Sequence, residues 1–205
     1  MKKDYILGVL FFSGLWGLSE AGLGGALYRA NVEHSSIILT IIAFGILAIS
    51  RASLPQRGTA TLIGLCAMLF KFFNAPVFAC HFAGIAILGI SFDLFFAFLD
   101  IKNKAIAGFV SAFFNYVAFA VFMTFIIRYH YWTSSMAKFN GHLIAGIFAA
   151  AGCAIVVPLM LKAGQLLKAR FEMPFNLKFS TVSLATAGLW VFSLAVFSHT
   201  LIMNR

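Results

Sequence analysis

The chain has 205 residues, of which 62% are hydrophobic and 10% charged, and its net charge is +9. A soluble domain carries roughly 25% charged residues, so there is too little polar surface here to solvate a globule, and the length allows one domain. The cations sit between apolar runs, with no RGG tract and no long basic run, which points to membrane topology and excludes nucleic acid as a partner.

Seven apolar stretches run over about 5–28, 36–50, 59–73, 77–99, 105–127, 141–162 and 179–201. A spanning helix needs about 20 residues, with about 17 a lower limit. The expectation is an all-α polytopic membrane helix bundle, one transmembrane domain over 1–205, with a six-helix core and a seventh C-terminal helix. The second and third stretches fall short of a simple span.

The first stretch follows Met1-Lys2-Lys3 and imitates a signal peptide. It continues past Ser19-Glu20-Ala21, which predicts a retained helix. Ser13, Gly17, Glu20 and Gly24 fall on one helical face. Glu20 is therefore expected to project from a groove of small residues, which admit a helix or a ligand close to the backbone. Arg51 to Gly58 reads as a turn, Asn74-Ala75-Pro76 separates the third and fourth stretches, and Asp100 to Lys104 separates the fourth and fifth. The sixth stretch carries a small ridge at Gly141, Ala145, Ala149 and Cys153. The longest connection, Ala163 to Lys178, places Leu166, Leu167 and Phe171 beside Lys168 and Arg170, a composition suited to the membrane interface. Cys66, Cys80 and Cys153 all fall in apolar segments without a C-x-x-C, and read as small buried hydrophobes.

With a cytoplasmic N-terminus, the inner connections hold ten of the 15 Lys+Arg and the outer ones five. The excess predicts that orientation. It gathers His34, His81, His130, His142 and His199 at the outer side, with Lys71 and Asn74, and puts Glu20 in the outer half of the first helix. Ionisable groups inside a bilayer cost about 2.5–3.5 kcal/mol each on insertion scales and usually face a cavity or a partner. The candidate pocket is lined by Glu20, Lys71, Asn74, His81 and His142, with Trp16 and the phenylalanines near 72–82 enclosing the apolar part of a ligand. Direct pairing of Glu20 with Lys71 is the simpler alternative. Asp93 lies deeper, as a structural group or the end of a polar path.

The segment Gly14-Leu15-Trp16-Gly17-Leu18-Ser19-Glu20-Ala21-Gly22-Leu23-Gly24 resembles the opening helix of the substrate-binding (S) components of energy-coupling factor transporters. Phe70-Lys71-Phe72-Phe73-Asn74-Ala75-Pro76, followed by an apolar helix with Gly84, Gly89 and Asp93, fits the same pattern. The resemblance covers about the first half of the chain. It implies a six-helix core with a pocket near the outer face for a vitamin or a transition-metal ion. It also implies a membrane scaffold subunit and two cytoplasmic ATPases as partners, with small-residue motifs such as Ala26-xxx-Ala30 contacting the scaffold. The seventh stretch is additional to that core, and the N-terminal metal-binding histidine signature of one branch is absent.

The expected function is a solute-binding component of the bacterial inner membrane, taking a small molecule or metal ion and energised by partner subunits. The chain has no P-loop, so ATP hydrolysis falls to a partner. A second expectation is a membrane subunit of a redox complex, with His81 and His142 as axial ligands of haem b. A third is an accessory subunit that binds no ligand. No H-E-x-x-H or G-x-S-x-G pattern is present, and no enzymatic activity is expected.

Overall fold

The computed structural model describes residues 2–73, 79–128, 136–170 and 184–192, and of residues 2, 3, 71–73, 79 and 170 it describes the backbone alone. The described residues are mostly helical and contain no strand. Helix α1 runs over Lys2–Leu18, through a π turn at Ser19–Leu23, into Gly24–Arg29. Positive backbone φ at Asn31 and His34 turns the chain into α2, Ser35–Ser53. That helix has 19 residues and is long and apolar enough to cross a membrane. The second stretch is therefore longer than its apolar run suggests, because Ser35 and Arg51 to Ser53 continue the helix. The Arg51 guanidinium donates to the carbonyls of Pro55 (2.6 Å) and Gln56 (3.1 Å), which secures the turn that follows.

Helix α3 comprises Thr59–Ala67 and a 3-10 extension, Met68–Phe73. At ordinary rises it reaches about 25 Å, just under the roughly 30 Å hydrocarbon core. Helix α4 is Ala79–Asp93 with a terminal π turn, Leu94–Phe98. Asn103 caps α5 by accepting from the amides of Ala105 and Ile106, which satisfies two of the donors left open at a helix start. Helix α5 is Lys104–Val121 with a terminal π turn, Phe122–Ile126. Helix α6, Met136–Arg170, has 35 residues. It runs to about 52 Å and absorbs the first part of the expected connection from Ala163. Leu166 and Leu167 are exposed on this overhang, while Phe171 lies outside the described residues. A further helix, α7, is described over 184–192.

The helices pack in the ring order α1, α3, α4, α5, α6, α2, and α2 also reaches the other core helices through the interior. Helix α6 lies in the groove between α2 and α5. The core holds Trp16, Phe44, Leu47, Ile63 and Phe92. The Phe92 and Phe96 rings stack at 4.3 Å, and Phe44 meets Phe92 edge-on at 5.6 Å. Large apolar side chains are turned outward, among them Phe148 (63% exposed) and Ile155 (66%), while Ser13, Ser91 and Ser111 are fully buried. This distribution fits a bilayer around the bundle, since lipid accepts apolar surface and polar groups must be housed inside. Among the described residues, five helices are long and apolar enough to span. The protein is an all-α membrane helix bundle.

The bundle has two distinct ends. Tyr5 bonds Thr59 (3.1 Å), Leu54 packs at Gly8, Gly164 meets Ile49 and Ala52, and the Arg57 guanidinium lies over the Phe98 ring at 5.9 Å. These contacts gather the N-terminus, the 54–59 turn, the 98–104 turn and the last part of α6 at one end, termed here the near end. Lys2, Arg51, Arg57, Lys102, Lys104, Lys162 and Lys168 all lie towards it.

Candidate functional site

Trp16 and Glu20 are one turn apart on α1, and both are buried, at 0% and 7% exposure. The indole Nε1 donates to Glu20 Oε1 at 3.4 Å. Glu20 sits in the Ser19–Leu23 π turn. Among the described residues this is the one π turn placed within a long helix, where such turns often mark functional positions. The preceding turn is held by Ser19 Oγ, which donates to the Trp16 carbonyl at 2.7 Å. At Gly17 the Phe70 ring lies directly against the backbone, and a Cβ there would collide with it. Gly64 on α3 makes room for the Trp16 ring, 3.3 Å from where its Cβ would stand.

The α1–α3 seam is covered from outside by α7. Trp190 stacks on Phe70 with ring centroids 4.5 Å apart, and its Nε1 donates to the Leu10 carbonyl at 3.2 Å. Lys71 lies on the Met68–Phe73 turn, which packs on the π turn that carries Glu20. The Lys71 side chain and Asn74 lie outside the described residues. His81 is exposed on α4.

The expected site residues thus divide. Trp16 and Glu20 come together, with Lys71 on the adjacent turn. His142 belongs to a second polar cluster, among α2, α5 and α6. Its ring packs on Tyr116 (4.7 Å) and Phe119 (5.5 Å). The Tyr116 hydroxyl lies 3.4 Å from both Thr40 Oγ1 and Ser36 Oγ. Ser36, Thr40, Ser111, Asn115 and Tyr116 escape a reading that looks for charge and histidine, because isolated neutral polar residues in apolar runs carry no motif. One signal was available: Ser111 and Asn115 are spaced i, i+4 inside a spanning stretch.

Asp93 is a structural group. It is 2% exposed, and its Oδ2 accepts from the Thr61 amide (2.7 Å) and the Thr61 hydroxyl (2.8 Å). A carboxylate at a helix start meets the open donors and the positive end of the helix dipole. Asp93 thus fastens the start of α3 to α4. Gly89, one turn earlier, permits the approach, since a Cβ there would stand 2.7 Å from the Ala60 carbonyl oxygen.

A groove of about 410 Å³ lies on the outside of α4 and α5, lined by Ile87, Phe114, Val117, Val121 and Phe122 among others. It is almost wholly apolar and shares no residue with the Glu20 cluster. Among the described residues, no group of three or more His, Cys, Asp or Glu side chains is placed to hold a metal ion. No family model, curated protein or solved structure matches the chain.

Proposed function

We propose that the protein is a solute-binding component of a membrane transport system, with Glu20 as the group that recognises the solute. The observation that carries this reading is the buried Glu20 carboxylate on a π turn of a spanning helix, hydrogen-bonded to a buried tryptophan. A carboxylate at that depth costs several kcal/mol unless it serves a partner or a ligand. It suits a small molecule with a cationic or hydrogen-bond-donating head. Trp16 orients the carboxylate, and the partly exposed Trp190 supplies aromatic surface for an apolar body. Lys71 belongs to the neighbouring turn, Met68–Phe73.

The protein acts by binding, without covalent chemistry, and partner subunits supply the energy. The resemblance of its first half to energy-coupling factor S components names the kind of partner, a membrane scaffold with cytoplasmic ATPases. The cation-rich near end supports a cytoplasmic N-terminus in a bacterial inner membrane. The test is thermal stabilisation of purified protein by a panel of small amines and vitamins. A ligand at a hundredfold excess over its Kd stabilises by about 2.7 kcal/mol, a shift of roughly 5–10 °C for a chain of this size. The wild type shifts and Glu20→Gln does not. An equal shift in both variants removes Glu20 from the site.

A further inference from the structure

Helix α5 starts at the near end, and its π turn closes at Ile126, at the opposite or far end of the bundle. The 410 Å³ groove lies on the outer face of this helix, from Ile126 back to Phe114, with Ile87 of α4 facing it. Its rim is turned outward: Phe114 is 40% exposed, Val121 41% and Ile126 67%. The half-buried Ala118 is the small residue in its lining. Beside it α4 and α5 stay in contact, because Gly84 takes the Phe119 ring, 3.6 Å from where a Cβ would stand. The groove therefore opens to the surroundings of the bundle and not to its interior.

Its size and walls decide what it can hold. From Phe114 to Ile126 the helix rises about 18 Å. A volume of 410 Å³ over that length gives a mean cross-section of about 23 Å². That is the section of one extended hydrocarbon chain. A helix 10 Å across would need roughly 80 Å². Helices also pair in membranes through small ridges or polar groups, and here Ala118 is the one small residue among apolar, bulky neighbours. Half of the roughly 30 Å hydrocarbon core is about 15 Å, so the groove is about one leaflet deep. The level of its mouth is marked in the chain: Phe125, Ile126 and Ile127 are 68%, 67% and 48% exposed, and the exposed Arg128 follows at once. This is the change from hydrocarbon to headgroups. Arg128 turns the chain with a positive φ, and it has no ionic partner among the described residues.

We propose that the α4–α5 groove is a binding site for one anionic phospholipid of the far leaflet, with an acyl chain along α5 over Ala118 and the headgroup phosphate on Arg128. The two parts do different work. Lipid tails are as apolar as the groove, so the chain gains packing there and no hydrophobic driving force. The preference among lipids comes from Arg128, whose guanidinium pairs with a phosphate through two hydrogen bonds. A headgroup whose phosphate is not neutralised by its own ammonium is favoured. The site shares no residue with the Glu20 cluster, and it stands whether or not Glu20 binds a solute.

The test is native mass spectrometry of the full chain, delipidated in detergent and offered palmitoyl-oleoyl phosphatidylglycerol and phosphatidylcholine in equal amounts. The wild type is expected to retain one phosphatidylglycerol, with a several-fold preference over phosphatidylcholine. Ala118→Phe fills the groove and should cut retention of both lipids several-fold. Arg128→Gln, at an exposed position, should bring the preference close to one. Ile155→Phe, on the 66% exposed outer face of α6, should change neither. Unchanged retention in Ala118→Phe, or an unchanged preference in Arg128→Gln, overturns the proposal. So does a dimer of the wild type that Ala118→Phe dissociates, which would put a second copy in the groove. A measurement on the wild type removes any dependence on variant folding. In nanodiscs containing phosphatidylglycerol with a diazirine in its acyl chain, photolysis should label residues 114–126 several-fold more than the lipid-facing Ile147, Phe148 and Ile155 of α6. Equal labelling of the two helices overturns the proposal.

Discussion

Removing the Asp93 carboxylate should loosen one helix of the bundle by a calculable amount. Asp93 Oδ2 accepts two hydrogen bonds from Thr61, at 2.7 and 2.8 Å, in a site 2% exposed. Hydrogen bonds to a charged group contribute about 1.5–3 kcal/mol each, and a buried donor left open costs about 1–3 kcal/mol. The two bonds share one acceptor and one residue, so their energies do not simply add. The expected loss for Asp93→Ala is about 3 kcal/mol, and about 1 kcal/mol for Asp93→Asn, which keeps a neutral acceptor. For a chain of this length 1 kcal/mol moves Tm by roughly 2–4 °C, so alanine should lower it by about 9 °C. The assay is thermal unfolding in detergent, followed by tryptophan fluorescence. Gly89→Ala should act on the same contact, since its Cβ would press on the Ala60 carbonyl. The double variant should therefore lose less than the two single losses together. An Asp93→Ala protein within about 2 °C of wild type would refute the view that this carboxylate holds α3 in place.

Other consequences follow from the packing. Gly17→Ala should destabilise by about 1–3 kcal/mol, because the new methyl meets the Phe70 ring; the same melting assay checks it. Trp190→Ala should release α7, since the indole provides both the bond to Leu10 and the stack on Phe70. Limited proteolysis should then cleave after residue 170 several times faster than in wild type, with the α1–α6 core intact. Tyr116→Phe should cost about 0.6 kcal/mol, typical of an interhelical hydrogen bond in a membrane. A loss above about 2 kcal/mol would show that the hydroxyl supports far more than its two long contacts with Thr40 and Ser36.

The membrane character of the fold was legible from hydropathy, because lipid demands long uninterrupted apolar helices. The shared face of Gly17 and Glu20 on α1 was legible from spacing, but not that the Phe70 ring packs against Gly17. What the hydropathy pattern missed was length at the margins. Arg51 continues α2 because its guanidinium serves carbonyls beyond the helix end, and α6 runs on through Lys162 and Lys168 because charged residues are good helix formers outside hydrocarbon. The role of Asp93 was not legible, because its partner Thr61 is 32 residues away and no local pattern links a carboxylate to the start of another helix. The α2–α5–α6 cluster was hidden for the same reason: Tyr116 meets Thr40 across 76 residues. Histidines drew attention by their chemistry, yet His81 is exposed and His142 packs on aromatic rings. Position along each helix was readable, but not which way each side chain faces in the bundle.

The central claim is that Glu20 recognises a solute within this bundle. Its most direct test is mass spectrometry of the small molecules carried by wild-type and Glu20→Gln protein, purified in parallel from the same cells. The account predicts a molecule with a cationic or hydrogen-bond-donating head that is retained in near-stoichiometric amount by the wild type and lost from a Glu20→Gln protein of unchanged fold. Identical small-molecule content in the two preparations would contradict it.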